Sequence, residues 1–514
     1  MQSILETSLT QHFTYNSFRT GQLEIIQDVM NGNDVLGILP TGSGKSICYQ
    51  LPAKLLDGVT IVVSPLISLM IDQVKQLKAI NFKEVVALNS FMTPFERKEV
   101  YKNLHTYKLI YVSPELLQKK ELQQKLEQLN IRLFVVDEAH CISQWGHEFR
   151  PDYLKLNAII KFLNNPTVMA LSATATPTVQ LDIVNALDKP NMIKHIYPMD
   201  RDNITFNIQK VANDQDKISV MAEKLLIYRT PTLIYFSSRK ASEKVSAILS
   251  KKLPSKRISF YHGGMEQIDR ISIQQQFMND QLDIICCTSA FGMGINKSNI
   301  RMVIHYHLPP QLEAYIQEVG RAGRDGQSSV SILLFSENDI YLPKNIINKE
   351  LPSAKEINVA FKELYHLYVV QGKLPDNESK IENLMGVNEI QWRFLCYQFE
   401  KNGMIIGNTI NYNRKSWELA YNEITKLALK RLRAKENKLK EMLEWIHEEG
   451  CLRKHLYKGF QPSYSNPKYQ CCSNCGFSWR EWKPKETEIL KYTADSWESK
   501  LKNLLLIGVT NEAK

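Results

Sequence analysis

Short, continuous apolar runs punctuate the first two-thirds of the chain, and helical stretches separate them. VLGIL (35–39), TIVVS (60–64), KLIYVS (108–113) and RLFVVD (132–137) are apolar without alternation. Strands that read this way are buried on both faces, as in parallel sheets covered by crossover helices. The pattern returns with TLIYFS (232–237), ISFYH (258–262), DIICCTS (283–289), RMVIHY (301–306) and VSILLF (330–335). Two successive βα arrays predict two doubly wound parallel-sheet α/β domains, residues 1–198 and 199–342. Their ligands are expected in the crevices beyond the carboxyl ends of the strands.

After Leu342 the period becomes helical. Ile357, Phe361, Leu364 and Tyr368 fall on one helical stripe. A short helix over 381–385 and another over about 388–402 are expected next, then a β-hairpin in MIIGNTINYNR after Gly403. Helices followed by a hairpin over 350–416 are the order of a winged helix, and equally of a small packing module. A long charged helix should run from about 417 to 449, with Leu439, Leu443 and Ile446 on one stripe. Between Lys426 and Phe460, ten Lys/Arg against five Asp/Glu leave a net +5. That balance suits a solvated helix face or one that contacts phosphates. The tail, 483–514, is charged and weakly patterned.

Composition narrows the classes. At 44% hydrophobic and 23% charged residues, the chain reads as ordinary soluble globular protein. No run of ~18 uncharged apolar residues occurs, so no membrane span is expected. MQSILETSLTQHF at the start has no basic region leading into an apolar run, so no secretory signal is expected either. A reducing, cytoplasmic location follows, nucleoid-associated if the cell is bacterial. The formal charge of +10, from 64 basic and 54 acidic side chains, favours an anionic partner such as nucleic acid. Five of the nine cysteines (Cys48, Cys141, Cys286, Cys287, Cys396) sit in apolar or motif contexts and read as small buried side chains.

Candidate chemistry starts at LGILPTGSGKSICYQLPA (36–53), which follows a predicted strand and opens a helix. Thr41, Gly42, Ser43, Gly44, Lys45 and Ser46 match the end of a phosphate-binding loop, with Leu39 or Pro40 at the usual first-glycine position. Glycines let backbone N–H groups converge on a phosphate at a helix N-terminus. Lys45 would reach the β- and γ-phosphates, and the Ser46 hydroxyl would ligate Mg²⁺. Asp137 and Glu138 end a later apolar strand. Asp137 can hold the Mg²⁺, directly or through water, and Glu138 can take a proton from an attacking water. In QEVGRAGRDG (317–326), Arg321 and Arg324 stand three apart on the first turns of an expected helix and so share one face. Pointed at the crevice, they would stabilise charge on a transferring phosphoryl group, with Gln317 beside the nucleotide.

These motifs resemble those of the RecQ helicases of helicase superfamily two, over about residues 9–340 and the cysteine segment. LTQHFTYNSFRTGQLEII (9–26) is similar to the family's adenine-reading motif, which implies base contacts from Arg19 and Gln22. VVSPLISLMIDQV (62–74) and YVSPE (111–115) resemble its single-strand backbone motifs. SATAT (172–176) resembles the motif that couples hydrolysis to DNA. YFSSRK (235–240), YHGGM (261–265) and TSAFGMGINKSNIR (288–301) resemble the second-domain motifs. The resemblance thus implies DNA contacts near Ser64, Ser113, Ser238, Arg239, His262 and Thr288. AHCISQWGHEFRPDY (139–153) resembles the family's aromatic-rich loop, which senses DNA and triggers hydrolysis. It places Trp145, Phe149 and Arg150 as DNA contacts, and exposed aromatics stack on any base.

Near the C-terminus Cys451, Cys471, Cys472 and Cys475 cluster with a closing C-x2-C pair. Four thiolates in a reducing compartment suit a closed, tetrahedral zinc site. The family places a long helix before such a module, here 417–482. A structural ion taking no part in hydrolysis is expected. The family's usual winged helix follows the zinc module, whereas here only 39 residues (514 − 475) follow Cys475 and the candidate winged helix precedes it.

The expected protein is an ATP- and Mg²⁺-dependent DNA helicase of the 3′→5′ type, acting in DNA repair and recombination. Its expected substrates are single-stranded and forked DNA, with single-strand-binding protein and other repair proteins as candidate partners. Alternatives are an RNA helicase of the same superfamily and a non-unwinding DNA-binding or strand-annealing factor.

Overall fold

The computed structural model describes residues 2–13, 15–89, 92–143, 150–291, 297–375, 377–461, 464 and 466–484. The apolar runs form two parallel sheets. The first contains β1 (Val35–Ile38), β2 (Val59–Val63), β3 (Val85–Leu88), β4 (Leu109–Val112), β5 (Ile131–Val136), β6 (Thr167–Ser172) and β7 (Ile193–Ile196), in the order β3-β4-β2-β5-β6-β1-β7. Every residue of β1, β2 and β4 is buried, which is why those runs lack polar alternation. Gly37 has a packing role in β1. A β-carbon there would lie 2.8 Å from both Ile25 and Leu171, so the glycine lets the helix Gln22–Met30 lie close on the sheet.

The second sheet contains β8 (Ile204–Lys210), β9 (Thr232–Tyr235), β10 (Ile258–Tyr261), β11 (Ile284–Cys287), β12 (Met302–His305) and β13 (Ser329–Phe335). Their order is β10-β11-β9-β12-β13-β8. In the first sheet β5, β6 and β1 are neighbours, so the segments after Val136, Ser172 and Ile38 emerge side by side at one edge. That edge is where a doubly wound sheet presents ligand sites.

The helical region forms its own core. Helices Ala354–Val370, Glu378–Met385 and Glu389–Lys401 precede a hairpin of β14 (Ile405–Ile406) and β15 (Thr409–Ile410). The stripe on the first of these helices differs from the expected one. Tyr368 is exposed and Phe361 only half-buried, while Ala360 and Leu367 complete the inner face with Ile357 and Leu364. The long helix runs Arg414–Ile446, starting before Trp417 and ending before Glu449. Its start is set by the Asn413 side chain, which accepts from Ser416 N at 3.0 Å, an N-cap that the apolar pattern does not reveal.

This 33-residue helix is ~50 Å long. Its first half buries Trp417, Ala420, Ile424 and Ala428 in the core of the helical region. Its last turns bury Leu439, Met442, Trp445 and Ile446 in the core of the two-sheet body, where Trp445 meets Tyr315 at 4.6 Å between ring centroids. The helical region also reaches the first domain, where Lys155 Nζ lies 3.0 Å from Glu400 Oε2. Among the described residues no helix is long and apolar enough to cross a membrane.

Candidate nucleotide and nucleic-acid sites

Between the two sheets lies a cavity of about 240 Å³, lined by Arg19, Gln22, Gly42, Lys45, Asp137 and Arg324 among others. The loop after β1 forms its floor. Gly42 (φ +87°) and Gly44 (φ +76°) adopt left-handed backbone, and Ser43 N between them donates to Pro40 O at 3.1 Å, which closes the turn. The helix Ile47–Leu55 begins directly after Ser46, and Thr41, Gly42, Gly44, Lys45 and Ser46 all line the cavity. The N-terminal motif braces this loop. Arg19 Nη1 donates to Gly42 O (2.7 Å), and Gln22 Nε2 donates to Ser43 O (2.8 Å) and Gly44 O (3.0 Å). Gln22 Oε1 accepts from Arg19 N at 2.9 Å. The two residues expected to read a base therefore also fix the shape of the phosphate loop.

Asp137 and Glu138 follow β5. Asp137 is buried, and its burial and the adjacent Glu138 carboxylate push its carboxyl up to about 7, with Lys45 opposing them. A buried carboxylate in that condition is a fitting partner for a divalent cation, with the Ser46 hydroxyl on the same cavity wall. Glu138 takes a left-handed conformation (φ +48°), rare for a residue with a β-carbon, and its Oε2 lies 3.9 Å from Lys45 Nζ. His140 Nδ1 lies 3.4 Å from that same oxygen and 3.0 Å from Ser172 Oγ, which accepts from Thr174 N at 3.3 Å. The acidic motif is thus joined to the SATAT segment through one imidazole.

The second domain closes the cavity with Gln317, Arg321 and Arg324. The two arginines do not open a helix as expected: the helix Leu312–Val319 has ended, and they stand in turns around Gly323 (φ +55°). A β-carbon on Gly42 would lie 2.9 Å from Arg324 Cγ, and one on Gly320 would lie 2.8 Å from Thr41 Cβ, so the domains touch at the phosphate loop itself. Burial and the neighbouring Arg321, Arg201 and Arg19 push the Arg324 guanidinium down to about 9. An anion would relieve that repulsion. Arg201, absent from the sequence-based candidates, bridges the two sides. Its Nη1 donates to Thr41 O (3.0 Å) and its Nη2 to Gly323 O (2.5 Å). A polar DRDN stretch at a domain boundary gives no local signal of such a role.

The expected DNA contacts are placed unevenly. Trp145 and Phe149 lie outside the described residues. Arg150 N donates to Cys141 O at 3.0 Å, and Arg150 Nη1 lies 3.6 Å from Glu115 Oε1. Ser64 and Ser113 are buried, and the Ser113 hydroxyl caps the short helix Pro114–Leu117. As placed, neither hydroxyl reaches the surface. Ser238 caps the helix Arg239–Lys252, with Arg239 exposed beside it. His262 is buried and bonded to Glu243 (2.7 Å), and Thr288 is half-buried after β11.

The sulfur atoms of Cys451, Cys471, Cys472 and Cys475 all lie within 4.8 Å of one another. Tetrahedral zinc, with Zn–S of about 2.3 Å, requires S···S separations of about 3.8 Å, so the donor set fits that ion. Cys471 and Cys472 are brought together by a short turn docked on β8, where Phe206 N donates to Cys471 O at 3.2 Å.

A phosphate loop, a paired acid and two arginines facing one another across two parallel-sheet domains define a nucleotide-driven two-domain motor. The chain matches the DEAD/DEAH box helicase model over residues 19–182 and the helicase conserved C-terminal domain model over residues 216–326. It is 40% identical over 513 residues to the probable ATP-dependent DNA helicase RecS of Bacillus subtilis (strain 168), a match covering 99% of each chain. It is 41% identical over 350 residues to the ATP-dependent DNA helicase RecQ of Haemophilus influenzae, covering 67% of this chain and 55% of that one. The chain belongs to the RecQ family of ATP-dependent DNA helicases. Its fold is also similar to that of Mycobacterium smegmatis helicase Lhr bound to ssDNA and AMP-PNP, with a TM-score of 0.57 at 17% identity over 82% of this chain and 62% of that one. It is similar as well to S. cerevisiae Dbp5 bound to RNA and ADP BeF3, with a TM-score of 0.54 at 16% identity over 82% of this chain and 97% of that one.

Proposed function

We propose that this protein hydrolyses ATP to move 3′→5′ along single-stranded DNA and to unwind forked duplexes in repair and recombination. One observation carries the reading. The phosphate loop, Asp137–Glu138 and Arg321–Arg324 line a single cavity at the domain boundary, so catalysis requires both domains together. Lys45 neutralises the β- and γ-phosphates, Glu138 accepts the proton of the attacking water, and Arg321 and Arg324 meet charge that develops on the transferring group. Ser46 and Asp137 would hold Mg²⁺, which when bound draws charge from the phosphate oxygens. Gln317 lines the same wall. Exposed Arg239, with Arg150 and the loop bearing Trp145 and Phe149, supplies the strand contacts. ATP-dependent displacement on duplexes with a 3′ or a 5′ tail tests the reading. Displacement of the 3′-tailed substrate supports it. Absence of displacement with intact DNA binding would favour an annealing factor, and stimulation of ATP hydrolysis by RNA alone would favour an RNA helicase.

Trp145→Ala should leave basal ATP hydrolysis intact and remove most of its stimulation by DNA. Trp145 lies in sequence between Cys141 and Arg150, and Tyr153, just beyond, donates through its hydroxyl to Asp137 O at 3.0 Å. Tyr153 thus ties the residues after Trp145 to the acidic motif, a route by which strand binding can reach it. Phosphate release with and without oligonucleotide is the measurement, and full stimulation in the variant removes the loop from coupling.

We also propose one zinc ion per chain on Cys451, Cys471, Cys472 and Cys475. Thiolates select zinc over magnesium, and four of them leave no open position. Metal binding would stabilise a segment with little apolar core of its own. Replacing Cys472 and Cys475 together by alanine should abolish stoichiometric zinc and expose residues after about 447 to protease. Full zinc retention in that variant would defeat the assignment.

A further inference from the structure

The end of the segment joining the two sheets and the start of β8, residues 199–206, are held on two sides. One side faces the ATP cavity. Arg201 donates to Thr41 O of the phosphate loop and to Gly323 O, between Arg321 and Arg324. Asn203 Nδ2 donates to the same Gly323 O at 2.8 Å and to Gln327 O at 2.7 Å. The other side is gripped by the cysteine-bearing module. The buried Arg453 guanidinium pairs with the buried Asp200 carboxylate, donates to Ile204 O, and donates to Arg201 O at 3.0 Å. Gln461 Oε1 accepts from Met199 N (2.7 Å) and Asp200 N (3.2 Å), and Lys468 N donates to Asp202 O (2.8 Å). Thr205 Oγ1 donates to Gln470 O at 2.7 Å.

We propose that Arg201 is a positioning residue of the hydrolysis site, and that the C-terminal module sets its place through Arg453 and Gln461. The module therefore tunes ATP turnover from a position 253 residues downstream of Asp200. Arg201 lies outside the cavity lining, so it acts through others. It fixes the carbonyl of Thr41, and with it the loop that carries Lys45. It also fixes the Gly323 carbonyl, and with it the spacing of Arg321 and Arg324 from that loop. Its main-chain oxygen is held by Arg453, so the guanidinium and the backbone that aims it are secured from opposite faces. The inference rests on the reading of the cavity as an ATP-hydrolysing site.

The test is a double-mutant cycle on the full chain. Arg453→Ala would leave the Asp200 carboxylate buried and uncompensated, and would report folding as much as positioning. Gln461→Ala removes the acceptor for two linker N–H groups, from a half-buried side chain and with no buried charge left behind. Turnover number, KM for ATP and affinity for a fluorescent ATP analogue are measured for the wild type, Arg201→Ala, Gln461→Ala and the double variant. Misplacing a catalytic constellation by about 1 Å costs about a hundredfold in rate, so Arg201→Ala should lose about that much turnover while analogue affinity stays within about threefold. Gln461→Ala should lose about tenfold, a milder displacement of the same group. The double variant should be no slower than Arg201→Ala alone, because both act through one guanidinium. Normal turnover in Arg201→Ala, or losses that multiply in the double variant, overturns the proposal. A wild type that binds the analogue without hydrolysing ATP would instead overturn the functional reading, so the two failures are distinguishable.

Discussion

Lys45→Ala is expected to abolish ATP hydrolysis while single-stranded DNA binding stays largely intact. Lys45 lines the cavity on the phosphate loop, directly before the helix Ile47–Leu55, and its ammonium group lies 3.9 Å from Glu138 Oε2. Its removal acts twice. The γ-phosphate loses a cation that strengthens its hold as charge develops, a loss of at least about a hundredfold in turnover. The acidic pair also loses its nearest counter-charge. Lys45 opposes the upward push on the Asp137 carboxyl, so without it Asp137 is held protonated to higher pH and is a weaker partner for Mg²⁺. Among the described residues none of the candidate strand contacts is seen to bond to Lys45, so fluorescence anisotropy with a labelled oligonucleotide should change little. Turnover that still rises on adding DNA would remove Lys45 from the phosphate site.

The two sheets were legible because parallel strands covered on both faces cannot hide their apolar runs. The glycine-rich loop, the acidic pair and the arginine motif stood out as candidates because each expected chemistry demands particular residue types at short spacing, and the three line one cavity. Three features were not legible. Arg201 works through backbone carbonyls more than a hundred residues away in either direction, and carbonyls leave no trace in sequence. Arg19 and Gln22 were read as base contacts, yet their donors also reach the carbonyls of Gly42, Ser43 and Gly44, a bracing role visible only once the loop is folded. The face of the helix Ala354–Val370 was misjudged at Tyr368, because a tyrosine fits a stripe by spacing while Leu367 beside it takes the buried place. For Arg201, Arg19 and Gln22, partners far along the chain decide what the side chain does.

Arg324→Ala should slow ATP turnover by roughly a thousandfold and leave nucleotide affinity nearly unchanged, the range expected for an arginine that acts on the transferring phosphoryl group. The geometry favours this over a ground-state contact. Arg324 comes from the second domain yet lies against Gly42 of the first, so its place depends on the domains being closed. Burial and the nearby Arg321, Arg201 and Arg19 push its guanidinium down to about 9, so near neutral pH it stays charged among other cations. Such a cluster gains most where negative charge is greatest and most tightly placed, which is the transition state, and interactions realised there raise turnover rather than binding. Arg321, buried on the same wall, should behave similarly. Steady-state kinetics paired with titration of a fluorescent ATP analogue separates the two effects. A fall in affinity that parallels the loss of kcat/KM, with the maximal rate preserved, would make Arg324 a ground-state phosphate contact and return the catalytic role to Arg321 alone.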